Sequence, residues 1–200
     1  MEEIRVNRLP AITWRYLHVN DSPDKFEFPG NSASAVFSDK QYVSEGGTLP
    51  ADFRGASAET LAAAEKGQAY TVIIPEKTEA EPTISITAEE DRPDFAGCFI
   101  FKLEKDAKLN LIWRLSGDRK HSVFATASFY ELMKNAALSV SYLETGLPAS
   151  SLYEQRYAVL GDDAKLDFVS AELGGEKVIV HSYGRLVGSR SEMRETALYA

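Results

Sequence analysis

The side chains best suited to chemistry in this sequence are few and scattered. There is one cysteine, Cys98, and there are three histidines, His18, His121 and His181. A reactive thiol needs exposure and a cationic neighbour that lowers its pKa. Cys98 sits in FAGCFIF, among apolar residues, and reads as a buried structural cysteine. His121 follows Arg119 and Lys120 in GDRKHSV; this reads as a solvated turn in which like charges disfavour a protonated ring. His181, in VIVHSY, faces core or solvent from a strand, and His18 lies in an N-terminal arm. No CxxC, HxH or HExxH spacing occurs, so no metal ligand is assigned.

Two acidic groups stand out, Glu89-Glu90-Asp91 and Asp162-Asp163. Neighbouring carboxylates on a solenoid face can do acid/base work or hold calcium. Aspartates just before a strand are, however, ordinary turn formers. Gly174-Gly175 follows a strand but lacks the GxxxxGKS or GxxxxGKT pattern and the helix of a phosphate loop, so it reads as a turn. No catalytic, cofactor-binding or metal-binding residue is therefore assigned, and the expectation is a protein that is not an enzyme.

Composition narrows the class. The chain has 200 residues, 44% of them hydrophobic and 26% charged, with a formal net charge of −8. That is enough apolar material for a core. The negative balance argues against a nucleic-acid partner, because phosphates need a cationic face. The apolar runs at 70–75 and 95–101 are too short to span a bilayer, and MEEIRVNRLP is no basic-then-apolar signal segment. With a lone cysteine, these features favour a cytoplasmic location.

The elements that must position these residues change character near residue 68. Residues 1–29 show no clear period and read as an arm with little regular structure; 31–56 are mixed, with turns at Gly46-Gly47 and Pro50. SAETLAAAEKG then predicts a short helix with Ser57 as N-cap, Glu59 in its first turn and Gly67 closing it. Beyond it come strand-like runs, YTVII, PTISIT and FAGCFIFKL, and no further helix is expected. The chain divides into 1–67, an arm and short helical region, and 68–200, an all-β part.

That all-β part repeats itself. DAKLNL (106–111), NAALSV (135–140) and DAKLDF (163–168) align on alanines 29 and 28 residues apart. Leu109, Leu138 and Leu166 share one column; Leu111, Val140 and Phe168 share another, two residues on. The pair in each copy falls on one face of a strand. A second strand precedes each copy: CFIFKL, SVFATASFYEL and SLYEQRYAVL, with KVIVHSYGRLVG opening a fourth. In that fourth copy Met193 takes the leucine column but Glu195 falls in the Val/Phe column, so either a bulge shifts the register or the repeat decays. A fixed period near 28 with strand content predicts a β-solenoid rather than an antiparallel sandwich.

The same residues resemble a known family. VNRLPAITWRYLHVND is similar to the N-terminal arm of SufB/SufD-type iron–sulfur cluster assembly proteins, YTVIIPEKTEAEPTISI to their passage into the core, and DDAKLDFVSAELGGEKVIVHSYGRLVGSRSEMRETALYA to the SufD core. The resemblance covers most of the chain and is nearer to SufD than to SufB. It implies a right-handed parallel β-helix and a non-enzymatic place in a complex with a SufB-like scaffold and a SufC-like ATPase, which assembles iron–sulfur clusters. In the family, further coils, candidate cluster ligands and C-terminal helices lie beyond a strand like ALY. None has a counterpart here, so no cofactor is expected on this chain, and it reads as the N-terminal portion only.

A last coil without a cap leaves strand edges open, and self-association through that coil is expected. Two other solenoid readings stay open beside this one. A β-helical carbohydrate-active enzyme would need a cleft lined by carboxylates and basic residues. A hexapeptide-type acyltransferase would need an apolar residue every six, a rhythm the 28-residue period lacks. A solenoid that serves only as a protein-interaction module is a further alternative.

Overall fold

Alternation along the chain builds two walls. The computed structural model describes residues 1–7, 22–30, 32–117, 121–145 and 149–200; His18, Arg119 and Lys120 lie outside the described residues. The elements, in order, are β1 (Glu2–Val6), β2 (Ser22–Phe26), β3 (Ala35–Phe37), β4 (Val43–Glu45), α1 (Ala58–Lys66), β5 (Gln68–Ile74), β6 (Glu79–Ala80), β7 (Thr83–Ala88), β8 (Phe95–Leu103), β9 (Lys108–Gly117), β10 (Ser122–Leu132), β11 (Ala137–Thr145), β12 (Ser150–Leu160), β13 (Lys165–Leu173), β14 (Lys177–Leu186) and β15 (Glu192–Tyr199). One wall runs β14-β12-β10-β8-β5-β4 and the other β15-β13-β11-β9-β7-β3, with β6 also pairing β9.

Neighbouring strands within each wall are parallel, except that β4 and β3 run antiparallel to β5 and β7 and close the N-terminal end. The result is a β-solenoid of about four turns with a period near 28 residues, as the repeat predicts. Leu138 stands in register with Leu109 on one side and Leu166 on the other, and Met193 extends the column. All three leucines are buried. The ambiguity in the fourth copy resolves without a bulge: Phe168 pairs with Glu195 in unbroken register.

The corners that lead into β6, β9, β11, β13 and β15 use the same backbone conformation. Asp106, Asn135 and Asp163 have φ near +59°, +57° and +56°, and Lys77 and Arg190 take the same conformation at the first and last corners. L-residues resist this left-handed region, and Asn and Asp tolerate it best. The corner amides then bond from coil to coil: Asp106 N–H donates to Lys134 O at 3.1 Å, Asn135 to Asp162 O at 2.7 Å, and Asp163 to Ser189 O at 2.8 Å. The acidic and amide residues before β9, β11 and β13 are there for this conformation.

The helix forms where expected. The Ser57 hydroxyl accepts from Thr60 N at 3.1 Å, and the Thr60 side chain completes a capping box. Gly67 ends it for another reason than a left-handed cap. Its φ is −83°, and a Cβ there would lie 2.1 Å from Ala96 O, so the residue permits close approach to β8.

The N-terminal arm is more regular than its sequence suggests. β1 and β2 form an antiparallel ribbon. Their few apolar residues, Ile4, Val6 and Phe26, pack on Val123, Ala125 and Tyr153 of the solenoid's outer face. Two short strands joined by a long connection leave no periodic signal, so pairing is visible only in three dimensions. Together with α1, the ribbon covers the outer face of β8, β10 and β12. These strands are buried on both faces, which is why they read as nearly continuous apolar runs. No helix among the described residues is long and apolar enough to cross a membrane.

Candidate functional site

The core changes chemistry along the solenoid. Facing positions that hold Phe99 in β8 hold Ser128 in β10, Arg156 in β12 and Ser182 in β14. On the opposite wall, Leu115 in β9 is followed by Glu144, Glu172 and Tyr199. An aromatic and aliphatic interior thus becomes an ionic one within two coils.

Arg156 is the centre of it. The guanidinium is stacked 4.0 Å above the Phe168 ring and 5.5 Å from Tyr142. It donates to Glu154 on its own strand, to Glu172 Oε1 at 3.2 Å and to Glu195 Oε1 at 2.6 Å. Ser182 donates to the same Glu195 oxygen at 2.9 Å, and Ser170 donates to Glu172 Oε2 at 3.2 Å. Arg156, Glu154 and Glu172 are all buried. Burial pulls the Arg156 pKa down, but Glu154 and the other surrounding groups more than offset it and keep the guanidinium charged. Burial raises the Glu172 pKa, with Glu154 adding to it, against Ser170 and Arg156.

Glu144 stands apart from this network. It is fully buried, and neither of its carboxylate oxygens has a hydrogen-bond partner; Glu154 Oε1 also lacks one. Burial pushes its pKa up to about 7; the Leu173 backbone pulls the other way, and Glu154 and Glu172 add to the rise. The space beside Arg156, bounded by Tyr130, Phe168 and Met193, has no volume a water molecule can enter. A largely buried cluster of this kind can hold protons and fix register.

An open cleft of about 1250 Å³ lies between the β1–β2 ribbon and the start of α1. Glu3, Lys25, Phe53, Glu59 and Lys177 line it, and Lys177 is held by Asp24 at 2.6 Å. Its charges are mixed in sign.

The residues singled out in the sequence do not converge. Cys98 is buried against Ala64 and Ile100, and burial pushes its thiol up to about 12, which makes it inert. His121 is exposed with Glu27 at 3.4 Å. His181 points to the N-terminal layer, its Nδ1 3.3 Å from Asn7 Oδ1, and burial lowers its pKa with help from Arg54. Glu89 and Asp91 share Arg92 in a turn. Asp163 is gripped by Arg190 at 2.6 and 2.7 Å in a corner, and Asp162 accepts from Ser189 N at 2.8 Å. Gly174 turns the chain with φ +123°. Among the described residues, no group of three or more His, Cys, Asp or Glu is placed to hold a metal ion.

The ionic cluster went unread in the sequence, yet a signal was present. Extending the repeat four residues past Leu111, Val140 and Phe168 puts Leu115, Glu144 and Glu172 in one inward column. Glu154 and Arg156 share a strand face with Leu152 and Leu160.

Fold and site together define a β-solenoid protein with an ionic core at its C-terminal coils. Comparison with known proteins finds no family model, no curated protein and no solved structure that matches the chain.

Proposed function

We propose that this chain is a non-enzymatic, SufD-like component of an iron–sulfur cluster assembly complex, acting as a rigid scaffold beside a SufB-like protein and a SufC-like ATPase. The observation that carries the reading is the unbroken parallel register of Leu109, Leu138, Leu166 and Met193. It supplies the stacked-coil architecture that the resemblance implies. An ionic cluster buried between the two walls suits a structural rather than a catalytic task. On this reading the cluster under assembly is cargo of the complex, and no ligand for it is assigned on this chain.

β14 and β15 stand at the ends of their walls, each paired on one side only. Such edges offer main-chain groups for pairing. Self-association through this coil belongs to the proposal, and light scattering that shows a clean monomer over a wide concentration range removes it.

The experiment for the main reading is direct binding. The purified chain is mixed with the SufB-like and SufC-like proteins of the source cell and analysed by sizing chromatography. Co-elution with either supports the proposal. Independent elution from both, including with any longer natural form of this chain, overturns it.

A further inference from the structure

We propose that Glu144 is held protonated inside the solenoid and that its proton latches the last two coils, so that losing the proton loosens β13 and β15 from the wall. The argument begins with an imbalance of charge. Three carboxylates, of Glu154, Glu172 and Glu195, hold the guanidinium of Arg156, and a fourth, of Glu144, lies beside Glu154 and Glu172. Arg156 is committed to the last three. Glu144 is left fully buried with both oxygens unpartnered. An ionised carboxylate in that position has lost water and gained only the pull of the Leu173 backbone, which burial outweighs, so the neutral form is the stable one.

The surroundings offer no rescue. On its own strand, β11, the inward titratable neighbour is Tyr142. β12 contributes Glu154 and Arg156, β13 contributes Glu172, β10 contributes Tyr130, and β15 contributes Glu195 and Tyr199. From β9 the inward neighbours are Trp113 and Leu115, and from β14 Val180 and Ser182, none of them titratable.

The register turns this proton into a latch. Glu144 on β11 and Glu172 on β13 are direct partners in the ladder, and Tyr199 on β15 comes next. With Glu144 neutral, the β11–β13 seam carries at this level only the Glu172 carboxylate, which Arg156 holds at 3.2 Å. With Glu144 ionised, two like charges face each other across the seam in a dry core.

The direction of the pH effect follows. The folded-state pKa is about 7 against an unfolded value of 4.5. A raised carboxyl contributes stability that is fully present below the unfolded value. That contribution declines as pH rises and is gone above the folded value. The folded chain therefore binds this proton about 300-fold more tightly than the unfolded chain.

The test is amide hydrogen exchange on the full chain between pH 5.5 and 8, corrected for intrinsic rates, with Glu144→Gln and Glu144→Met beside the native protein. In the native chain, protection in β13 and β15 falls by about tenfold or more over this range while β8 holds steady. In Glu144→Gln, which keeps the shape without the charge, protection in β13 and β15 stays flat. Native protection that does not change, or a Glu144→Gln profile that falls in step with the native one, overturns the proposal. Should neither variant fold, a carbon-13 titration of the native Glu144 carboxyl decides: a midpoint near that of an ordinary glutamate sinks the latch, and one near neutrality upholds it.

Discussion

Arg156 on β12 donates a 2.6 Å hydrogen bond to Glu195 on β15, two strands on opposite walls of the solenoid and 39 residues apart in the chain. The pairing explains why Glu195 stands in a column otherwise filled by Leu111, Val140 and Phe168. The repeat does not decay there; it exchanges an apolar contact for an ionic one.

Removing Arg156 leaves buried carboxylates without their counter-charge. Arg156→Leu is expected to cost about 3–5 kcal/mol in urea unfolding. Adding Glu154→Gln and Glu195→Gln to that variant recovers part of the loss. An Arg156→Leu chain as stable as the native one rules out the pairing as a stabilising feature.

The corner conformation separates backbone from side-chain effects. Asn135, at φ +57°, also donates to Asp106 Oδ1 at 2.7 Å. Asn135→Val forces a branched side chain into the left-handed region and is expected to cost about 1–2 kcal/mol or more. Asn135→Gly accepts the backbone and loses only an exposed hydrogen bond, within about 1 kcal/mol of native. Urea midpoints that rank valine at or above glycine contradict the assignment.

Gly188 is needed for space. A Cβ there would lie 2.0 Å from Asp162 N and from Gly161 C, which are backbone atoms that cannot swing aside. Gly188→Ala is expected to cost about 1–3 kcal/mol. The loss should concentrate in the final coil, and hydrogen exchange should show β14 and β15 opening while β8 and β9 stay protected.

Gln155 fastens the helical layer to the wall. Its Oε1 accepts from Ala56 N at 3.1 Å and from Thr60 Oγ1 at 3.2 Å, and its Nε2 donates to Thr126 O at 3.4 Å. Gln155→Leu orphans the buried Ala56 amide and leaves the Thr60 hydroxyl only its bond to Ser57 O, and is expected to cost about 1–3 kcal/mol. Faster amide exchange in α1 with an intact solenoid is the expected signature; unchanged exchange in α1 argues that apolar packing alone holds the helix.

Much of the architecture was legible because it is local and repeated. A strand turns successive side chains to opposite faces, so Leu109 and Leu111 declare a buried face by spacing alone. Recurrence of that pattern at Leu138 and Leu166 declares stacking, since one coil cannot bury its own face. Ser57 and the alanines after it declare a helix by capping and propensity. What stayed hidden depends on partners far apart in the chain. The β1–β2 ribbon shows no period, and its meaning lies in Phe26 meeting Tyr153.

By itself, then, the sequence determined the coil, its period and its register, because backbone geometry converts short-range spacing directly into shape. Only the tertiary structure decided how the inward charges pair. Glu144, Glu154, Arg156 and Glu172 become a buried cluster, and Glu195 reaches Arg156 from the outermost strand, only when the two walls close. The energy of a charge depends on what surrounds it, and those surroundings come from strands a full coil or more away.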